Sequence, residues 1–150
     1  MITTRIATLA DVEVAAALFD AYRQFYRKPP DRDLALGFIR ARLQNNDSVI
    51  LLASNAAQQD VGFCQLYPTF CSVAAKPIFT LYDLFVAPAA RRSGAGKALL
   101  TAAEKLAADQ GNFRMDLSTA RDNKAAQALY ESLGWVRDDL FHVYSRSIET

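Results

Sequence analysis

Two cysteines, one histidine and one tryptophan are all that this 150-residue chain has of those residue types. The scarcity removes several chemistries. Cys64 and Cys71 fall in one strand-like stretch, where seven steps of about 3.3 Å hold them roughly 23 Å apart. A disulfide needs Cα atoms within about 7 Å, so free, buried thiols in a reducing compartment are expected. With no third or fourth ligand nearby, no metal site is expected. His142 stands alone, at an alternating position of a strand-like segment, and reads as structural rather than as a base. No Ser-His-Asp or Cys-His constellation can be assembled around it.

Charge of one sign is missing as well. A net charge of +1 provides no broad basic field of the kind that grips nucleic acid. No apolar run approaches the roughly 18 residues of a membrane span. The opening "MITTRIATLADVEVAAALFD" has no basic region leading into a long apolar core. A cytoplasmic protein with neither membrane nor nucleic-acid partner is the expectation. Repeats, linkers and low-complexity segments are absent, and the length suits a single domain spanning residues 1–150.

What is present is an orderly alternation of periods. "ITTRIAT" at 2–8 reads as a strand that stops at a capping segment, Thr8 to Asp11. Val14, Ala15, Leu18, Phe19, Tyr22 and Tyr26 then recur at helical steps, ended by "KPP" at 28–30. Asp31 or Asp33 starts a second helix with Leu34, Phe38, Ile39 and Leu43 as its apolar stripe. "SVILLAS", "VGFCQLYPTFCSV" and "IFTLYDLFV" are three strands joined by short turns, hence antiparallel neighbours. A helix with Ala95, Leu99, Ala102 and Leu106 on one face runs to Gly111. "FRMDLST" is a strand, and Asp122 or Asn123 caps a helix to Leu133 that Gly134 ends. "WVRDD" and "FHVYSRSI" finish as strands. The order β-αα-βββ-α-β-α-ββ makes a mixed α+β domain.

"PAARRSGAGKALL", residues 88–100, has the look of a phosphate cradle. The nucleotide-triphosphate loop Gly-x-x-x-x-Gly-Lys-Ser/Thr fails, because Arg91 stands at its first glycine and Ala98 follows Lys97. The dinucleotide fingerprint fails at Leu99. Yet glycines at 94 and 96 let a backbone approach a ligand, and successive N–H groups at a helix start carry the positive end of its dipole. Arg91, Arg92 and Lys97 add charge suited to a pyrophosphate.

The pairing of "LYDLFVAPAARRSGAGKALL" with "TARDNKAAQALYESLGW" resembles the two signature regions of the GNAT superfamily of acyl-CoA N-acyltransferases. That family's loop, Arg/Gln-x-x-Gly-x-Gly/Ala, is matched by Arg91, Gly94 and Gly96; its second region is matched by Asn123, Ala126, Tyr130 and Gly134-Trp135. The early "AYRQFYRKPPDRD" is similar to the helix-turn of the histone- and polyamine-acetylating branch. The resemblance implies a mostly antiparallel central sheet with splayed central strands and helices on both faces. It implies acetyl-CoA as co-substrate, held by Phe85, Val86 and Ala87 at the strand end, by Arg91, Arg92, Ser93, Gly94, Ala95, Gly96 and Lys97 in the loop, and by Asn123, Ala126 and Tyr130. It further implies direct acetyl transfer to a primary amine in a ternary complex.

Asn123, Ala126 and Tyr130 are three and four residues apart and share about one helix face. A phenol of pKa about 10 can protonate a departing thiolate of pKa about 8.5, so Tyr130 is the expected general acid. The base is open. Where polyamine-acetylating relatives place a glutamate before the aspartate of this strand, the chain has Tyr82. Strict alternation sends Tyr82 and Asp83 to opposite faces, so only one views the cleft. Asp83 is a base candidate alongside deprotonation through water, and a structural role for it is equally open. Tyr22, Phe25, Tyr26 and Tyr82 are the candidates for lining an acceptor pocket. Six basic residues against three acidic ones between Asp20 and Arg42 argue against a polycation site; a small amine, an amino acid and a protein lysine remain as acceptors. A non-enzymatic acyl-CoA sensor or interaction module on the same fold is the alternative reading, and another donor such as succinyl-CoA a third. The last strands are candidates for a homodimer contact.

Overall fold

The computed structural model describes residues 1–149. It divides into a larger unit, Met1–Ser118, and a smaller one from Thr119 onward. The larger unit is built from β1 (Thr3–Ile6), α1 (Val12–Phe25), α2 (Arg32–Asn45), β2 (Val49–Ser54), β3 (Asp60–Cys71), β4 (Lys76–Val86), α3 (Ala95–Asp109) and β5 (Met115–Asp116). The five strands lie side by side in chain order, antiparallel except for the parallel β4–β5 pair. This is the mixed, mostly antiparallel α+β architecture that the sequence leads one to expect.

Local chemistry sets the helix ends. The Asp31 carboxylate accepts the Leu34 N–H at 3.1 Å and so caps α2. Helix α1 closes in a Schellman turn: Arg27, at φ 64°, donates its N–H to the Gln24 carbonyl, and Lys28 donates to the Arg23 carbonyl. The buried Asp20 carboxylate holds this turn by accepting the Asp31 N–H at 2.9 Å and the Gln24 amide at 3.2 Å. That clamp fixes where the end of α1 presents Arg23 and Lys28.

The two faces of the sheet follow from register. Leu52 pairs with Phe63 and Leu51 with Cys64, so successive residues point to opposite sides. Ile50, Leu52, Phe63 and Phe85 pack with Ala15, Ala16 and Leu18 of α1 and Ile39 of α2 in one cluster. On the opposite face α3 lies over β2, β3 and β4. Its buried residues are Ala95, Leu99, Leu100, Ala103 and Ala107, a stripe at four-residue steps that is rotated from the expected Ala95, Leu99, Ala102 and Leu106. A Cβ on Gly62 would sit 2.9 Å from the Phe85 carbonyl oxygen of the adjacent β4 and 3.4 Å from a Leu99 methyl of α3.

The β4–β5 ladder lasts for only two residue pairs, Phe79 with Met115 and Thr80 with Asp116. Beyond it the β4 edge from Leu81 to Val86 runs without a strand partner on that side, among the described residues. The strand expected over "FRMDLST" is therefore shortened to its centre. In the smaller unit, α4 (Lys124–Ser132) is capped by Asn123, whose side chain accepts the Ala126 N–H at 3.2 Å. The two final strands expected over "WVRDD" and "FHVYSRSI" do not form within residues 135–149. A ladder needs a partner, and Val136, Leu140, Phe141, Val143, Tyr144 and Ile148 stay exposed instead.

Candidate active site

A cavity of about 490 Å³ in the larger unit is lined by Phe19, Tyr22, Arg23, Tyr26, Lys28, Phe38, Tyr67, Thr80, Leu81, Tyr82, Asp83 and Ser118. The aromatic rings brace one another. Phe19 stacks on Phe38 with centroids 5.2 Å apart, Tyr22 meets Tyr26 edge-on at 5.1 Å, and Tyr67 meets Tyr82 at 5.5 Å.

Of the acceptor-site candidates, Tyr22, Tyr26 and Tyr82 line this cavity, whereas Phe25 does not. Phe25 packs edge-on against Tyr26 and under the Arg91 guanidinium, 5.5 Å from its ring centroid. Helical spacing explains the split: a residue one step from Tyr26 turns about 100° away from it.

Tyr82 and Asp83 both line the cavity, which corrects the inference from strict alternation. Gln65 of β3 faces Asp83, but the next residue, Leu66, faces Leu81. Tyr82 is thus the extra residue of a β-bulge, the device that breaks alternation. Its carbonyl receives a long, 3.5 Å hydrogen bond from the Tyr22 hydroxyl.

Asp83 is the buried charge of the site, 5% exposed. A relay of hydrogen bonds orients it. Ser48 Oγ donates to Gln65 Oε1 at 2.8 Å, which turns the Gln65 amide so that Nε2 donates to Asp83 Oδ2 at 2.7 Å. Burial pushes the Asp83 carboxyl above the usual carboxylate range, opposed by hydrogen bonds from Gln65 and from the Tyr22 hydroxyl. Burial, reinforced by the Asp83 charge, likewise pushes the Tyr22 phenol up and lifts Tyr67 to about 12. Both phenols therefore stay protonated donors, while Asp83 is a carboxyl whose proton affinity burial has raised, the direction a general base needs. Gln65, Phe19, Phe38, Arg23, Lys28 and Tyr67 were not among the expected site residues; Gln65 alone carried a signal, a polar residue inside an apolar strand run.

At the strand end, Ala87 donates its N–H to Val61 at 2.8 Å and so directs its backbone toward β3, as does Phe85 two residues earlier. Val86 directs its backbone to the open edge, where its carbonyl accepts Arg91 Nε at 3.1 Å. Arg91 thereby ties the loop to β4, its guanidinium over the rings of Phe25 and Phe85. Arg92 and Gly94 take positive φ, 65° and 89°, and the chain turns into α3 with Ser93 Oγ accepting the Ala95 N–H at 3.3 Å. Gly96 and Lys97 follow in the first turn, whose N–H groups have no acceptor within a helix. Arg92, Ser93, Gly94 and Lys97 are exposed there. A helix start with mobile cations and outward N–H groups suits a pyrophosphate.

In the smaller unit, Asn123, Ala126 and Tyr130 lie on α4, each half-buried. The Tyr130 ring packs against Trp135 with centroids 6.1 Å apart, and the Trp135 N–H closes the helix on the Tyr130 carbonyl at 3.0 Å. His142 is exposed outside any element. Cys64 is buried and Cys71 half-buried, both unpaired thiols in β3, and burial lifts Cys64 to about 12. No cluster of three or more metal-ligating side chains occurs among the described residues. No helix among them is long and apolar enough to cross a membrane.

Comparison with known proteins agrees with this geometry. An uncharacterized N-acetyltransferase of Bacillus subtilis strain 168, YhfO, is 44% identical over 144 residues, which cover 96% of each chain. The crystal structure of a probable acetyltransferase superposes with a TM-score of 0.90 at 37% identity, over 100% of this chain and 99% of that one. A ribosomal-protein-alanine N-acetyltransferase from Brucella melitensis biovar Abortus shares the fold, with a TM-score of 0.81 at 20% identity over 98% of this chain and 99% of that one. Residues 13–135 match the acetyltransferase (GNAT) family, whose enzymes use acetyl-CoA as co-substrate, and the chain is an acetyltransferase of that family.

Proposed function

We propose that this enzyme moves the acetyl group of acetyl-CoA directly to the nitrogen of a small primary amine seated in the aromatic cavity. The observation that carries the reading is Asp83, a buried carboxyl at an aromatic-lined cavity of about 490 Å³, a volume typical of small-molecule sites. The acceptor arrives as an ammonium ion and must lose a proton before it can attack. Asp83, its proton affinity raised by burial, takes that proton directly or through one water. The amine nitrogen then attacks the thioester carbonyl and forms the C–N bond; the C–S bond breaks, the departing thiolate takes a proton from Tyr130, and the second proton lost by the nitrogen on becoming an amide restores the Tyr130 phenol through solvent. The role of Tyr130 rests on the match of its helix to the family's second region. The pyrophosphate takes the start of α3, with Arg92, Ser93 and Lys97 around it and Arg91 fixing the loop; Val86, Asn123 and Ala126 serve the rest of coenzyme A.

The test combines titration calorimetry with acetyl-CoA and a turnover assay over a panel of primary amines. Binding in the micromolar range together with turnover of small amines is expected, lost in Asp83→Asn. An enzyme that acetylates only protein lysines, or whose Asp83→Asn variant keeps full turnover, overturns the reading.

We also propose a homodimer formed through the C-terminal segment. Six large apolar side chains between Val136 and Ile148 are at least 78% exposed, a density that marks contact surfaces rather than solvated ones. Light scattering is expected to give twice the chain mass; a monomer at every concentration removes the proposal.

A further inference from the structure

Arg23 and Lys28 bring two cations to the lining of the cavity that also holds Asp83. Neither is ion-paired among the described residues, and the neighbouring carboxylates have other partners. Asp20, one turn earlier on α1, accepts from Gln24 and the Asp31 backbone, and Asp83 accepts from Gln65. Lys28, also in the cavity wall, is brought there by the same Schellman turn that closes on the Arg23 carbonyl. The cavity therefore has one anionic group, two cationic groups and a lining of aromatic rings.

We propose that the acceptor is an amino-acid-like zwitterion, a primary amine whose carbon framework also bears a carboxylate, with Arg23 and Lys28 receiving the carboxylate and the aromatic rings an apolar side chain. This rests on the reading of the cavity as the amine site. Asp83 takes the ammonium end. Arg23 suits the other end because its planar fork matches a carboxylate through two parallel N–H donors. A monoamine without a carboxylate leaves Arg23 and Lys28 without a counter-charge, and a polyamine places a second positive charge beside them.

Three matched acceptors separate these cases: phenylalanine, its amide, and phenethylamine. With acetyl-CoA, kcat/KM for phenylalanine is expected to exceed that for both others by about tenfold or more, the usual effect of a hydrogen-bonded charge. Arg23→Met should raise KM for phenylalanine more than it lowers kcat and bring the ratio toward one; Arg23→Lys should recover part of it. Calorimetric binding of 3-phenylpropionate, which has the carboxylate and no amine, gives a readout independent of turnover: the unaltered enzyme should bind it and Arg23→Met should not. Equal or better use of the two amines that lack a carboxylate overturns the zwitterion while leaving the amine site intact. Turnover of none of the three, with 3-phenylpropionate bound through Arg23, overturns the amine site and keeps the carboxylate pocket. No turnover and no 3-phenylpropionate binding overturns both.

Discussion

Gln65→Met is the substitution that reaches both the fold and the chemistry. Gln65 is 0% exposed and links Ser48 to Asp83 through bonds of 2.8 and 2.7 Å. Methionine fills a similar volume without an amide, so little cavity energy enters. A neutral hydrogen bond is worth about 0.5–1.5 kcal/mol and one to a charged group about 1.5–3 kcal/mol, which puts the loss at about 2–4 kcal/mol. For a chain of this size that lowers Tm by on the order of 10 °C. The pH dependence makes the test specific. The folded pKa of Asp83 is raised above its unfolded value, so its contribution to stability is full below the unfolded value and is lost as pH rises through the folded one. Removing the Gln65 donor, which opposes that rise, lifts the folded pKa further. The stability deficit of the variant should therefore widen as pH rises through the folded pKa of Asp83, and the acid limb of its kcat/KM profile should move to higher pH. Urea unfolding at several pH values, with initial rates on the same preparations, measures both. A stability loss that does not change with pH, alongside an unmoved acid limb, would refute Asp83 as the titrating base.

Tyr130→Phe should keep acetyl-CoA affinity by calorimetry and lose turnover by about a hundredfold or more; unchanged kcat across pH removes the acid role. Gly62→Ala drives a Cβ to 2.9 Å from the Phe85 carbonyl oxygen, a backbone atom that cannot swing aside, and should cost about 1–3 kcal/mol in urea unfolding. Asp11 and Asp60 share the Arg5 guanidinium, at 3.0 and 2.7 Å, and their carboxyls are held below their ordinary 3.8, Asp11 chiefly by the Thr8 N–H and Asp60 chiefly by Arg5. Their stabilisation is present above that value and lost as pH falls below it, so Arg5→Gln should narrow the stability difference between pH 6 and pH 3 seen in calorimetric melts.

Helix existence was legible because periodicity and caps agree: Asp31 and Asn123 cap α2 and α4 as their side-chain chemistry dictates. The buried face of α3 was legible only approximately, since Ala102, Ala103, Leu106 and Ala107 are all apolar and the sequence does not say which pair meets the sheet. On α2, Leu34 was expected in the stripe and is 51% exposed, whereas Ala35 is buried; close α1–α2 packing favours the small residue. The bulge at Tyr82 had no signal, since no glycine or proline marks it in "IFTLYDLFV", and it is the bulge that lets Tyr82 and Asp83 share a cavity. The position of Arg23 was illegible for a different reason: among six basic residues in that region, only the folded chain shows that Arg23 and Lys28 line the cavity. The final strands expected over "WVRDD" and "FHVYSRSI" do not form, because strand formation depends on a partner that no local pattern encodes.

The bulge also changes what the chain can tolerate in length. Losing one residue from a central strand ordinarily flips every side chain beyond it to the wrong face. At Tyr82 the opposite holds, because Gln65 already faces Asp83 and Leu66 already faces Leu81. Excising Tyr82 would join these pairs into an unbroken ladder, with Leu81 and Asp83 on the faces they now occupy. The fold should survive that deletion, by circular dichroism and thermal melting, while amine acetylation falls with the loss of the cavity wall. In this strand, the residue that the sheet can spare is the one that walls the cavity.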